Sequence, residues 1–425
     1  MSPWLLALAL LAAEPPESEA EADLPQGYTP SDEASQETLR LTGYVDVGFA
    51  KASGDGTSFP ANDIRVPAEY GVDPFATAVN SRGDVASTDS KGRFTNGFLP
   101  KSVGIGGRPS FLLNTASIDL RYTPRQLPVF LFVRLQAMPR FGTGGDATQV
   151  DLQQAFARLT PFASQEFTAS LGRFDSVFGI EYLENEANFR VGVTPSLLAR
   201  YTTGHSLGVK GFYRVQLPAL GSALSLNVAA TNNGTRTESL VGPDASQTGV
   251  PVGSGRLGYE LNLKDVQVKA GASGLAGPRN DQGSASALQS AFGVDLRISF
   301  AGVSVAGEFV RLVDERGPVA GKLTGLGPAE LASGFDVRGG WGRLAWTLPF
   351  HTDTLTALTV YGRYDRRQAR FEGFTQVVTD RFTAGVRADL TELMALKIEA
   401  LWDRELAGAP TVDNDVITSS AVFTW

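Results

Sequence analysis

The feature that most constrains the fold is a strict alternation of apolar and polar residues that recurs along the chain. Segment 381–390 shows it most clearly, because apolar residues stand at every second position: Phe382, Ala384, Val386, Ala388 and Leu390. Segments 116–122 and 292–300 alternate in the same way. A helix of 3.6 residues per turn cannot hold this pattern over nine residues, whereas a strand places alternate residues on opposite faces. The pattern therefore predicts β-strands.

About sixteen such strands are predicted, the last of them running to Trp425. They lie at 41–51, 113–123, 128–138, 149–160, 165–174, 204–216, 222–231, 254–263, 265–274, 290–300, 302–312, 336–347, 355–366, 378–390, 393–404 and 415–425. Two of them, 149–160 and 336–347, do not reveal which face points inward. Short and long connections alternate, as in barrels with short periplasmic turns and long extracellular loops. We therefore predict an all-β fold, a transmembrane antiparallel β-barrel over residues 40–425.

Aromatic residues near the strand ends support a membrane setting. In the predicted topology they form two groups, one at the short-turn side (Tyr122, Tyr213, Phe300, Trp346, Trp425) and one at the long-loop side (Phe309, Tyr364, Trp402). Two such girdles are typical of the two interfaces of a bilayer. A last strand that ends on an aromatic residue also resembles the signal read by the outer-membrane barrel assembly machinery. We expect that machinery and outer-membrane lipid as partners.

Composition narrows the classes of function. A hydrophobic content of 42% and a mean hydropathy of −0.06 fit a barrel, because only alternate residues of each strand face lipid. Cysteine is absent and there are two histidines, so a thiolate metal site or histidine catalysis is not expected. All Lys and Arg residues follow position 39, and residues 40–425 carry equal numbers of acids and bases. We therefore expect no cofactor, no metal and no nucleic-acid partner.

The N-terminal region is predicted to precede the barrel. Residues 1–22 have a short apolar run followed by small residues, as in a secretory signal peptide, although no base precedes the run. Cleavage near Ala13 and cleavage after Ala22 are both compatible with the sequence. Residues 23–39 contain acids, Pro and Ser but no base, and we interpret them as an acidic flexible linker.

A barrel of sixteen strands is wide enough to leave an aqueous lumen. The polar faces of the predicted strands carry charges of both signs, which are expensive in a dry core but not beside water. The candidate pore-wall residues are Asp119, Arg121, Arg134, Lys210, Arg214, Asp295, Arg297, Arg363 and Arg387. The alternative is a plugged barrel in which these charges form paired rungs.

The third long loop, residues 175–203, is unusually apolar and includes Phe178, Ile180 and Leu198. Apolar side chains in a loop favour burial, so this loop is predicted to fold into its own barrel. It would then bring a set of charges into the lumen: Asp175, Glu181, Glu184, Glu186, Arg190 and Arg200. Narrowing a pore to a ring of charges is one way in which channels select ions. The alternative is a surface lid at an oligomer contact.

Residues 171–213 resemble the strand–loop–strand segment of phosphate-selective (O/P-type) and related outer-membrane porins. The matching motifs are Gly172-Arg173-Phe174, Phe178-Gly179-Ile180-Glu181 and the run from Gly204 to Val209. The resemblance implies a sixteen-stranded porin of the bacterial outer membrane, commonly a homotrimer, that passes small hydrophilic solutes and ions through a constriction made by the third loop. Phosphate selectivity is not implied, since residues 175–203 carry four acids and two bases.

Three classes of function remain after these arguments. A passive diffusion channel is favoured by the charged inward faces. An enzyme is not expected, because its best candidates, His205 and Ser206, are strand neighbours that point to opposite faces. A plugged, structural or adhesive barrel would act through its long extracellular loops, of which 52–112 is the largest.

Overall fold

The structure is a computed structural model. It describes residues 38–52, 85–88, 94–99, 110–125, 127–137, 150–162, 166–218, 221–232, 248–279, 286–316, 334–350, 352, 354–371, 377–406 and 415–425. The predicted signal peptide and the predicted linker up to residue 37 lie outside the described residues. The first strand begins at Thr38, so the barrel takes in the last two residues of that linker.

Sixteen strands form one closed antiparallel barrel, and a separate two-stranded hairpin lies in its first long connection. The barrel strands are β1 (Thr38–Ala52), β4 (Ser110–Thr123), β5 (Val129–Ala137), β6 (Val150–Leu159), β7 (Phe167–Asp175), β8 (His205–Leu217), β9 (Ser222–Thr231), β10 (Val252–Leu263), β11 (Val266–Pro278), β12 (Leu288–Phe300), β13 (Val303–Asp314), β14 (Phe335–Pro349), β15 (Ala357–Phe371), β16 (Val377–Thr391), β17 (Met394–Glu405) and β18 (Val416–Thr424). The hairpin strands are β2 (Val85–Thr88) and β3 (Phe94–Leu99). Each barrel strand pairs with the next, and β1 pairs with both β4 and β18. The predicted sixteen-strand antiparallel barrel is confirmed.

The alternation of the sequence places apolar side chains on the outside of the barrel. On β18, Ile417 and Phe423 are 53% and 43% exposed, whereas Thr418 and Ser420, which point inward, are buried. Outward leucine, valine and aromatic side chains are exposed in the same way on the barrel strands from β8 to β18 other than β11, whose exposed residues are alanine and glycine. An apolar exterior around backbone that is fully paired in a closed sheet is what a hydrocarbon environment requires. This is the architecture of a transmembrane β-barrel.

The connections give the barrel two unlike rims. The short-turn rim includes Ala301–Gly302, where both residues have positive φ (49° and 80°), as in the tight turns that suit the twist of a hairpin. The long-loop rim carries the connection from β7 to β8, residues 176–204, and most of the other long ones. One predicted long loop, 367–377, is shorter than expected, because β15 continues to Phe371 and β16 already begins at Val377.

The barrel closes at the end of the chain. The backbone N–H of Gly43 donates to the carbonyl of Trp425 at 3.1 Å, and the N–H of Trp425 donates to the carbonyl of Gly43 at 3.0 Å. The last residue therefore completes the seam between β1 and β18. Its indole ring is half exposed, on the apolar exterior at the short-turn rim.

Among the described residues, the connection between β7 and β8 includes two short helical segments. It contains a 3₁₀ turn, Glu181–Glu184, and α1, Ala199–Thr202. Among the described residues, no helix has the length and apolar character needed to cross a bilayer.

Candidate functional site

The candidate site is the barrel lumen together with residues 176–204, which we call loop 3. Loop 3 leaves β7 and lies inside the barrel rather than above it. Phe178, Leu198 and Tyr201 are almost fully buried and form one cluster with inward side chains of the wall, including Val310 and Val337. An apolar patch on the inner wall is thus covered by the apolar residues of the loop, which accounts for their presence in a loop.

The entry of loop 3 depends on a sharp backbone turn at Gly179, whose φ is +73°. Its N–H donates to Ser273 Oγ on β11 at 2.9 Å. A Cβ at this position would overlap the carboxylate of Glu308 on β13. Only glycine combines this conformation with this close approach.

Glu184 joins loop 3 to the wall formed by β12 and β14. Its carboxylate accepts hydrogen bonds from Arg343 at 2.5 and 2.6 Å and from Arg297 at 2.9 Å. Burial of the carboxyl raises its pKa, but the two guanidinium groups outweigh burial and lower the pKa of Glu184 from its ordinary value of 4.5 to about 2. Glu184 is therefore ionised throughout the physiological range.

Glu186 reaches the opposite side of the lumen. It accepts hydrogen bonds from Tyr44 Oη on β1 at 2.5 Å and from Gln136 Nε2 on β5 at 3.0 Å. Arg134, also on β5, pairs with it at 2.9 Å. Since Glu184 contacts β12 and β14, two residues of one turn connect distant parts of the wall. Loop 3 therefore crosses the lumen.

The return half of loop 3 is held through its backbone, and we call residues 187–195 the anchored segment. Lys397 Nζ on β17 donates to the carbonyls of Ala187, Arg190 and Gly192. Arg387 on β16 donates to the carbonyl of Arg190 at 3.0 Å. Arg363 on β15 donates to the carbonyls of Thr194 and Pro195, each at 2.9 Å. Arg387 also donates to the carbonyl of Asn188 at 3.1 Å.

Glu399 on β17 complements these cations by accepting from the same segment. The N–H groups of Val193 and Thr194 and the Thr194 hydroxyl donate to its carboxylate, as does Tyr361 Oη at 2.9 Å. Glu399 is 1% exposed. Hydrogen bonds to charged groups are among the stronger ones in proteins, so the anchored segment is fixed to the wall.

The remaining predicted constriction residues have different surroundings. Glu181 accepts from Ser196 within loop 3, at 2.6 Å from its N–H and 2.5 Å from its hydroxyl. Asp175 lies at the loop root, 2.8 Å from His205 Nε2. Arg190 is partly buried, and the Arg200 side chain lies outside the described residues. Of the predicted set, Glu184 and Glu186 thus contact opposite sides of the wall, whereas Glu181 is bonded within loop 3.

The predicted wall charges are inward and mostly paired with neighbours. Asp119 accepts from Arg134 at 2.7 and 2.6 Å, with Arg121 3.9 Å away. Two further pairs are Arg256–Asp295 at 2.6 Å and Arg214–Glu260 at 2.8 Å. Lys210 lies 5.5 Å over the Phe174 ring. The side chains of Arg214 and Arg297 are 17% and 18% exposed, and that of Arg387 is also 18% exposed. These partly exposed charges face the lumen.

Sequence reasoning missed several side chains that hold loop 3 or lie against it, among them Tyr44, Gln136, Glu308 and Arg343. Arg343 lies on β14, whose facing the sequence left ambiguous. Tyr44 lies two positions before the inward residue Asp46, so the period of β1 could have shown that Tyr44 also points inward. No sequence signal pairs either residue with a loop more than 130 positions away.

No family model and no curated protein matches the sequence. A solved structure of the outer membrane channel DcaP of Acinetobacter baumannii matches with a TM-score of 0.51 at 10% identity, over 92% of this chain and 98% of that one. The chain shares the fold of an outer-membrane channel. OmpT of Vibrio cholerae (TM-score 0.49, 11% identity, 93% and 99% covered) and an anion-selective porin from Comamonas acidovorans (0.46, 11%, 92% and 100%) also align.

Proposed function

We propose that this protein is a porin of the bacterial outer membrane, a water-filled channel for passive diffusion of small hydrophilic solutes and ions. The observation that carries the proposal is loop 3, fixed inside a closed sixteen-strand barrel with a charged inner wall. Such a loop narrows a lumen that would otherwise be wide. Loop 3 acts as a fixed constriction in this proposal, because both of its halves are hydrogen-bonded to the wall.

Selectivity in this proposal comes from the charges beside the narrowed passage. Glu184 with Arg297 and Arg343 places charges of both signs on one side, and Arg387 with Asp389 adds a partly exposed pair. Asp175, Arg190 and Arg200 complete the constriction set, and the inward wall residues complete the pore lining. A homotrimer, assembly through the terminal strand and a cleaved signal peptide belong to the same proposal, as the resemblance to porins implies.

We also propose that the protein is not an enzyme. The candidate base His205 lies at the root of loop 3, where β7 and β8 meet, with its Nε2 2.8 Å from Asp175. A structural role at the junction of these two strands accounts for His205, and no substrate is needed to explain it. Among the described residues we find no nucleophile, base and orienting group in contact.

The test is single-channel recording in a planar bilayer across a salt gradient. Discrete conductance steps are expected, and the sign of the reversal potential will tell whether the acids of loop 3 or the bases of the wall control ion preference. Folded protein that gives no steps would contradict the channel.

A plugged barrel is the second candidate, favoured by one observation. Wall charges beside loop 3 are almost completely buried: Asp365 is 0% exposed, and Arg367 and Arg381 are each 1% exposed. Loop 3 and paired side chains therefore fill this sector of the lumen. Liposome swelling separates the two candidates, because only an open channel admits small sugars into the vesicles.

A further inference from the structure

The outer face of the barrel carries arginines at the long-loop rim of β13 to β17. They are Arg311, Arg338, Arg366, Arg370 and Arg404, which we call the arginine belt, and all five are exposed. They stand on the outward parity of their strands, the same face as the apolar exterior. Charge on the outside of a transmembrane barrel is costly at mid-membrane depth and is tolerated only near the interfaces.

Three strands place the belt at a defined depth. On β13, β15 and β17 the outward row carries, near its long-loop end, an aromatic residue followed two positions later by arginine: Phe309 and Arg311, Tyr364 and Arg366, Trp402 and Arg404. Phe309, Tyr364 and Trp402 are 44%, 36% and 44% exposed. Aromatic residues mark the membrane interface, and two further strand residues reach about 6–7 Å beyond it. The guanidinium groups then lie at the level of lipid head groups.

The charges within the belt do not cancel. Arg311 and Arg338 are direct cross-strand partners, an unfavourable arrangement for like charges unless an anion lies between or above them. Asp336 pairs with Arg311 at 3.1 Å, but the two side chains are 42% and 58% exposed. Asp380 lies between Arg366 and Arg404 in one row and pairs with Arg366 at 3.5 Å, so two acids face five arginines within the belt.

The acids of this rim are fewer than its arginines. Besides Asp336 and Asp380, Glu315 and Asp415 are exposed there. Glu315 accepts from the N–H of Leu288 at 3.2 Å, and Asp415 accepts from the N–H of Asp403 at 3.0 Å. Among the described residues, the outward rims of β9 to β12 present no charge. They end instead in small or apolar residues: Ala230, Gly253, Ala276 and Leu288. The five arginines of the belt therefore lie together on one side of the barrel.

From this arrangement we infer that the arginine belt binds the phosphate groups of lipids in the outer leaflet. Guanidinium groups match phosphate geometry by paired N–H donors, and clustered bases near a membrane surface recognise anionic head groups. The aromatic row beneath the belt would contact the acyl and glycerol or sugar region of the same lipids. This inference rests on the proposed membrane orientation, with the long-loop rim outward, and not on conduction.

The test is native mass spectrometry of the full chain, folded in detergent and titrated with diphosphoryl lipid A. We expect wild-type protein to retain the lipid and the triple variant R338Q/R366Q/R404Q to bind it at least about tenfold more weakly, since each base near a head-group surface contributes about 1 kcal/mol. Monophosphoryl lipid A should bind wild type more weakly than the diphosphoryl form, and added salt should weaken both.

The matched control is the triple variant R121Q/K210Q/R214Q, which removes the same charge from the inside of the barrel. It should bind lipid A like wild type, and circular dichroism verifies that both variants fold. Equal binding by wild type and the belt variant would overturn the inference. It would also be overturned if the belt variant changed only the number of chains per particle, since the belt would then be a contact between copies. Because no current is measured, neither result bears on the channel.

Discussion

Glu184 shows at the scale of one residue how loop 3 and the wall depend on each other. Its low pKa is a property of the folded state, in which Arg297 and Arg343 hold the ionised form against the cost of burial. A carboxyl whose pKa falls on folding contributes stability that is complete above its unfolded pKa, near 4.5, and is lost as the pH falls toward about 2.

We therefore predict a pH-dependent difference between wild type and Glu184→Gln. The unfolding free energy of wild type should exceed that of the variant at pH 6, and the gap should shrink by about 3 kcal/mol between pH 5 and pH 2, since one pKa unit corresponds to 1.36 kcal/mol. Urea unfolding in detergent measures it. The control is Glu392→Gln in an exposed turn, and a gap that stays constant with pH would contradict the prediction.

Gly179 provides the second prediction at this scale. Gly179→Ala should lower the unfolding free energy by about 1–3 kcal/mol, because the residue has positive φ and its Cβ would displace the Glu308 carboxylate. Gly342→Ala on β14 is the matched control, since its Cβ meets nothing within 4 Å. If thermal denaturation finds the same loss of stability for the two variants, a side chain at position 179 does not strain the entry turn of loop 3, and the prediction is wrong.

At the scale of elements, the strands could be predicted and most of their contacts could not. All sixteen barrel strands follow from period two, and β9 begins and ends at the predicted residues 222 and 231. The hairpin β2–β3 was missed because its strands have four and six residues within a region of turn-forming residues. The apolar composition of loop 3 predicts its burial. Its partners Lys397 and Glu399 are set by barrel closure, which brings together residues about 200 positions apart.

The anchored segment of loop 3 yields a prediction for an element. Lys397→Met removes the ammonium that binds three carbonyls, so amide exchange of residues 187–195 should accelerate by about 30-fold, equivalent to the loss of about 2 kcal/mol of local stability. Hydrogen-exchange mass spectrometry measures this rate. Lys264→Met, in the two-residue turn after β10, is the control and should leave the segment protected. Unchanged exchange in the Lys397 variant would show that Arg363, Arg387 and Glu399 suffice.

The whole molecule is a ring closed between its first and last strands. The chain contains no cysteine, so a pair of introduced cysteines reports on this closure without background. Val47 and Ala421 are direct partners across the seam, and facing residues of this kind have Cα atoms about 4.5–5.5 Å apart, within reach of a disulfide. We predict that V47C/A421C forms an intramolecular disulfide in the folded protein.

The register makes this prediction specific. V47C/F423C should not cross-link, because Phe423 faces Val45 and diagonal neighbours are about 7–8 Å apart. A mobility shift on non-reducing gels distinguishes the two variants. If V47C/F423C cross-links as well as V47C/A421C, the seam has slipped from the described register.

The position of loop 3 inside the ring also determines the order in which the protein can fold. The residues that hold the anchored segment belong to β15, β16 and β17, which follow it by 168 to 210 positions in the chain. Loop 3 therefore has no wall to bind until the C-terminal strands have joined the sheet. Contacts so distant in sequence are formed slowly, and we expect insertion of the loop and closure of the seam to occur late, as one cooperative step.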